Sequence, residues 1–245
     1  ISAAAVRATV AALALAGERA AALETFDAFA GRLRDAVGAE PDAPTLALVE
    51  RVRGERVWQL PPAEATPRQG AESRRAPLAG RERELTALLN TWDRCRVERR
   101  AAAAIVEGDP GVGKTRLAEE VVARARLDGA AACSVRAVPS DAGEPWAGLY
   151  ALARGGLAEA PGAGAAPPEA LAAFAARAPE WADRFPGARG ATPAAPATAL
   201  LAVVRAVTEE RPLVLFLDDA HWLDAASLGA LAGLLRDLAG APLFA

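Results

Sequence analysis

The 245-residue chain carries 28 Lys and Arg against 31 Asp and Glu, a net charge of −3, and 52% of its residues are hydrophobic. That suffices for one large domain, or a medium domain with a smaller helical piece, and no run of like charge is long enough for a basic nucleic-acid surface. Cys95 and Cys133 stand far apart and outside any CxxC pattern, which argues against a disulfide framework or zinc site and fits a reducing cytoplasm.

About a quarter of the chain is Ala, a strong helix former that buries little area, so many thinly packed helices are expected, with Val, Ile, Leu and Phe concentrated in a few strands. The opening ISAAAVRATVAALALAGERA has the small and apolar residues of a signal peptide, yet Arg7 interrupts the run and an amphipathic helix follows. No stretch is apolar and long enough to span a bilayer. A start at Ile1 and an end on APLFA, like a strand cut in the middle, read as a fragment of a longer protein.

Residues 1 to about 55 read as helices. Gly17 separates the first from the second, in which Leu23, Phe26, Phe29 or Ala30, Leu33 and Val37 form one apolar stripe before Gly38 ends it. A third helix follows Pro41 and Pro44, with Leu46, Val49 and Val52 expected on one face. Antiparallel helices with such short turns resemble a tetratricopeptide-like repeat unit, with Gly17, Ala20 or Ala21 and Phe26 as the packing positions. Fewer than two repeats are present, so this piece needs neighbours.

The segment QLPPAEATPRQGAESRRAP has prolines, polar residues and no period, and reads as a linker. The division that follows is a helical segment at 1–57, a linker at 58–76 and an α/β domain at 77–245. After residue 78 the pattern alternates: helix ERELTALLNTWDRCRVE, strand 101–107, helix KTRLAEEVVARARLDG, strand 131–138, helices near 145–157, 168–178 and 195–209, strand PLVLFLDD at 212–219, and a helix capped by Asp224. That order predicts a parallel sheet with helices on both faces.

GDPGVGKT at 108–115 fits G-x-x-x-x-G-K-[ST], the P-loop pattern. Gly108, Gly111 and Gly113 let successive backbone N–H groups converge on phosphate oxygens, and the following helix adds the positive end of its dipole. Lys114 reaches the β- and γ-phosphates, and Thr115 offers a hydroxyl to Mg²⁺. Lys114 is also the one lysine in the chain. A guanidinium is broad and planar, so a composition that writes its other cations as Arg still needs Lys inside a tight phosphate loop.

LVLFLDDAHWLD at 213–224 is the second half of the pattern, an apolar strand ending in two acids, as in a Walker B motif. Asp218 is the candidate Mg²⁺ holder, and Asp219 the candidate polariser of an attacking water, one methylene shorter than the Glu common at that position. Two acids after a strand also suit a solvated end with a helix cap. His221, the one histidine, senses a γ-phosphate, couples nucleotide state to a neighbour, or packs beside Trp222.

PLAGREREL at 77–85, VEGDPGVGKTRLAEE and LVLFLDDAHWLD together resemble the AAA-like ATPase domain of STAND-type signalling regulators. The resemblance covers 77–245, is specific at the two Walker motifs and loose between 140 and 210. It implies a P-loop NTPase sheet with residues 241–245 lying between the P-loop strand and the 213–217 strand. It implies nucleotide contacts from Leu78, Gly80 and Arg81, beside Gly108, Asp109, Pro110, Gly111, Val112, Gly113, Lys114, Thr115 and Arg116. The preceding helices look like the end of a bacterial transcriptional activator domain, which follows a winged-helix DNA-binding domain in antibiotic-regulatory-type transcription factors.

The resulting expectation is a cytoplasmic ATP/ADP-binding switch, dependent on Mg²⁺ and a slow ATPase, in a multidomain bacterial transcriptional regulator. DNA is met only through a domain outside this segment, other domains of the regulator are partners, a homo-oligomer is possible, and no membrane is involved. Two alternatives stay open: the same ATPase module fused to a nucleotide cyclase or protein kinase, and a nucleotide-binding scaffold without hydrolysis.

Overall fold

The computed structural model describes residues 2–54 and 80–245. The 58–76 linker, Leu78 and the side chain of Val37 lie outside the described residues.

Three helices come first, α1 (Ala3–Leu15), α2 (Arg19–Val37) and α3 (Ala43–Gly54). Ser2 caps α1 by accepting from the Ala5 N–H, and Gly38, in the left-handed region, closes α2. The apolar stripes meet in one cluster of Val6, Val10, Ala14, Phe26, Phe29, Leu48, Val49 and Val52. The third stripe differs in phase from the expected one. Leu46 is exposed, and Thr45, Leu48, Val49 and Val52 face inward at helical spacing. Thr45 is tolerated inside because its hydroxyl accepts from Arg7 Nη1 at 3.1 Å, which satisfies the buried oxygen.

Leu127, at the end of α5 (Lys114–Leu127), belongs to the same helical cluster. Its carbonyl accepts from Arg51 Nη2 at 2.7 Å. The helical segment is therefore seated on the C-terminal end of the helix whose N-terminus follows the P-loop.

The remaining elements are α4 (Glu82–Glu98), β1 (Ala131–Arg136), α6 (Ala147–Leu152), α7 (Pro168–Ala175), α8 (Pro179–Arg184), α9 (Pro196–Glu210), β2 (Leu213–Asp218), α10 (Ala225–Asp237) and β3 (Leu243–Phe244). The strands form a parallel sheet in the order β1-β2-β3, with Arg136 opposite Asp218 and Leu213 opposite Leu243. Along β2 the side chains alternate between two cores. Leu213 and Leu215 join α6, α7, α9 and α10, whereas Val214 packs with Trp92, Cys95, Val121 and Phe244 under α4 and α5. Helices cover both faces, the arrangement of an α/β P-loop-type fold.

The stretch leading to the P-loop lies beyond β3. Ala102 N donates to Leu243 O at 2.9 Å, Ala104 N to Ala245 O at 2.8 Å, and Ala245 N to Ala102 O at 3.0 Å. Residues 243–245 thus separate this stretch from β2, the insertion that the resemblance implies. The expected regular strand at 101–107 is reduced to a single parallel bridge, Ala102 with Phe244. Pairing runs out at Ala104, and Ile105, 85% exposed, has nothing packed on it to hold an extended ladder.

Two further differences come from turns hidden in Ala-rich sequence. The helix expected at 145–157 gives way after α6 to a wide turn at 153–157 broken at Gly155 and Gly156. Gly155 lies so close to β1 that a Cβ there would stand 2.2 Å from the Ser134 carbonyl oxygen. The helix expected at 168–178 stops at Ala175, and Pro179 opens α8, which carries Trp181 into the core against Phe174. Both cysteines are free and buried, their thiols pushed up by desolvation to about 11 for Cys95 and about 12 for Cys133.

Candidate nucleotide-binding site

Residues 108–113 form an exposed loop that enters α5 through Gly113, at φ +91°. A residue in that conformation has no side chain to cap the helix if it is glycine, and none is supplied by a neighbour. The first bond along the helix runs from Leu117 N to Gly113 O at 3.0 Å. The N–H groups of the first turn therefore point off the helix end, where the dipole favours an anion. Gly111, at φ +82°, makes the preceding turn.

Lys114 Nζ donates to the carbonyl oxygens of Gly108 and Asp109 at 2.9 and 3.0 Å, so its ammonium folds back along the loop. Asp109, Pro110 and Val112 are exposed on the same loop, and Arg116 is half-buried in the first turn of α5. Arg81 Nη2 donates to the Val112 carbonyl at 2.9 Å and its Nη1 to Glu84 at 3.1 Å. Gly80 N donates to Glu82 Oε1 at 3.0 Å. Arg81 is thereby tied to the loop, whereas the Gly80 bond stays within the start of α4.

The second acid-bearing half arrives from β2. Asp218, at the strand end and 8% exposed, accepts from Thr115 Oγ1 at 3.1 and 3.2 Å, one distance to each carboxylate oxygen. Thr115 and Asp218 are 103 residues apart in sequence, and the packing of α5 against β2 brings them together. Asp219, half-exposed, adopts the left-handed conformation at φ 53°, which Asp and Asn take more readily than other side-chain-bearing residues. That turn directs its carboxylate to within 3.8 Å of Arg136 Nε. His221 is exposed, its ring centroid 4.8 Å from that of Trp222.

One residue of this region escaped the sequence reading, and a second was read only in part. Arg136, at the end of β1, donates from both Nε and Nη2 to Asp218 Oδ2 at 2.9 and 2.6 Å. The hydrogen bond to Asp218 raises the already high pKa of its guanidinium, so it stays charged. The signal for it lay in the parallel register, which motif spacing does not reveal. Asp224 was expected as a helix cap and does accept from Ser227 N at 2.9 Å, but it also accepts from Trp146 N at 2.9 Å and Gly148 N at 3.2 Å. Burial alone would raise its pKa; the hydrogen bonds from Ser227, Trp146 and Gly148 outweigh that and leave it below the ordinary 3.8.

The family model for the AAA ATPase domain matches residues 77–245. The chain belongs to that family. No curated protein and no solved structure matches it. AAA ATPase domains generally bind ATP with Mg²⁺, and the residues of this one suit both. A hydroxyl and a carboxylate meet at hard-oxygen distance beside a loop that presents N–H groups. Among the described residues no group of three or more His, Cys, Asp or Glu gathers. Among the described residues no helix of the AAA ATPase domain or of the segment before it is long and apolar enough to cross a membrane.

Proposed function

We propose that this chain is the nucleotide-operated switch of a multidomain bacterial transcriptional regulator, cytoplasmic, with residues 1–57 as a tetratricopeptide-like helical segment, 58–76 as a linker and 77–245 as the ATPase domain. ATP is held by Gly108 to Arg116 with Gly80 and Arg81 at its base end, and Mg²⁺ by Thr115 and Asp218. The loop N–H groups and the ammonium of Lys114 neutralise phosphate charge. Asp219 orients a water toward the γ-phosphate, with hydrolysis slow because its carboxylate is short and turned toward Arg136.

The observation that carries the switch reading is the position of α5. Its N-terminus meets the phosphates, and its C-terminal residue, Leu127, is packed into the helical segment and bonded to Arg51. Nucleotide contacts at one end of a rigid helix thus bear on the seat of the helical segment at the other. To carry a population from mostly off to mostly on, nucleotide must prefer one arrangement by about 5 kcal/mol, which γ-phosphate and Mg²⁺ contacts are able to supply.

The test is equilibrium binding of ATP with Mg²⁺ to the full-length protein, by calorimetry. Lys114→Ala is expected to weaken binding roughly a hundredfold, through loss of a charge-assisted contact to phosphate. Unchanged affinity overturns the site. Arg51→Ala, distant from the loop, is expected to leave affinity within a few-fold while reducing nucleotide-dependent protection of the helical segment from proteolysis.

A further inference from the structure

Asp218 is charged, almost fully buried, and already engaged. Its Oδ2 takes both forks of Arg136, and the Thr115 hydroxyl bridges the two oxygens from the other side. An ionised carboxylate taken out of water needs a counter-charge close by. Lys114 does not serve: its ammonium is held by the Gly108 and Asp109 carbonyls. Arg136 does, at 2.6 Å.

The two partners differ in freedom. The Asp218 side chain is 9% exposed and fixed at a strand end, whereas that of Arg136 is 45% exposed. Arg136 therefore has room to leave toward solvent or toward Asp219, 3.8 Å away. A divalent cation that takes an oxygen of Asp218, directly or through water, meets a resident positive charge at the same carboxylate. The two cannot hold Oδ2 at once without repulsion.

We propose that Arg136 is an exchangeable counter-ion of the Mg²⁺ site: it keeps Asp218 and Thr115 aligned in the nucleotide-free protein and competes with Mg²⁺ for the carboxylate, thereby setting how much Mg²⁺ nucleotide binding requires. Arg136 is a positioning residue in this scheme and touches no reacting atom. The fork suits the task because its two parallel donors fix the carboxylate plane, which a lysine ammonium does not. The inference rests on Asp218 being the metal-holding acid.

The experiment is a Mg²⁺ titration of the full-length protein saturated with a fluorescent ADP, followed by fluorescence, for wild type, Arg136→Gln and Arg136→Lys. Thermal melting without nucleotide accompanies it. Removing the competing charge in Arg136→Gln is expected to tighten Mg²⁺ binding about tenfold, the scale of a unit charge a few ångströms away in partly solvated surroundings. The same variant is expected to melt lower without nucleotide, because Asp218 loses its counter-ion. Arg136→Lys retains the charge and loses the fork, and should stay within about threefold of wild type for Mg²⁺. It also keeps the test open should the Gln variant fold poorly, since tighter Mg²⁺ binding in the Lys variant contradicts the scheme. Weaker or unchanged Mg²⁺ affinity in Arg136→Gln overturns the proposal and makes Arg136 a plain support for Asp218. Wild-type protein that binds the fluorescent ADP with no dependence on Mg²⁺ instead overturns the assignment of Asp218, and the proposal with it.

Discussion

The two sides of the site are built on opposite plans. On the P-loop side the backbone supplies the chemistry: exposed glycines at positive φ, a helix N-terminus entered through Gly113, and a lysine resting on its own loop's carbonyls. On the β2 side the work is done by two buried carboxylates, Asp218 and Asp224, each fixed by donors from other segments of the chain. The first side is shaped for a guest and costs the fold little. The second is part of what holds the fold together. Changes on the β2 side should therefore register as lost stability, and changes on the loop as lost affinity with the fold intact.

The largest break in stability is expected from Asp224→Ala. Its carboxylate, in a residue 4% exposed, satisfies the backbone N–H groups of Ser227, Trp146 and Gly148. Trp146 is itself held at a positive φ of 71°, so the clamp also maintains local strain. Deleting it strands buried donors and removes the α10 cap, a loss on the order of 3 kcal/mol. Chemical denaturation should show it. A loss under about 0.5 kcal/mol, the scale of an ordinary surface substitution, would erase the distinction between the two sides.

Asp224→Asn should cost about half as much, since one oxygen survives while an amide NH₂ is turned on the N–H that faces it. It also isolates a pH effect. The folded pKa of Asp224 is lowered by its hydrogen bonds, so its stabilisation is fully present above the ordinary value of 3.8 and fades as the pH falls through the lower folded value. Denaturation midpoints compared at pH 7 and well below pH 3.8 should therefore converge between wild type and Asp224→Asn. A gap that stays constant across that range sinks the assignment.

The same contrast explains what the sequence made legible. The P-loop is local chemistry, eight consecutive residues whose backbone requirements are written in glycines and one lysine, and the capping role of Asp224 is equally local. The parallel sheet followed from apolar runs such as LVLFL, and the insertion of 243–245 beside Ala102 followed from the resemblance. What stayed hidden depends on register and phase. Arg136 was one arginine among many until pairing put it opposite Asp218. Leu46 and Leu48 are equally apolar in sequence, and only the Arg7–Thr45 bond explains why the buried face includes Thr45 and Leu48. Alanine gave too little contrast to mark the break at Gly155 or the stop after Ala175, and too little side chain to sustain the strand at 101–107.

On the loop side, Gly113→Ala tests the other half of the comparison. A Cβ at Gly113 meets nothing within 4 Å, so the cost comes from φ +91° alone, roughly 1 kcal/mol of stability. The helix N-terminus it opens would tilt, and nucleotide affinity measured by calorimetry should fall far more than stability does. A variant that loses several kcal/mol of stability instead would place the loop among the supports of the fold.

The smallest effect is expected at His221. Its ring lies against Trp222 on an exposed turn that follows the left-handed Asp219. Contact with a half-exposed indole gives His221→Ala a stability change within about 0.5 kcal/mol. The packing and γ-phosphate readings of this residue then separate by nucleotide. A ring that only packs leaves the ratio of ATP to ADP affinity unchanged, because both nucleotides meet the same surface. A ring that senses the γ-phosphate loses affinity for ATP alone. With its ring tilted against Trp222 at 47°, the packing role makes the stronger case, and an equal ratio in His221→Ala and wild type is the expected outcome. A shift confined to ATP would instead move His221 into the phosphate site and extend the guest-shaped side of the pocket across the end of β2.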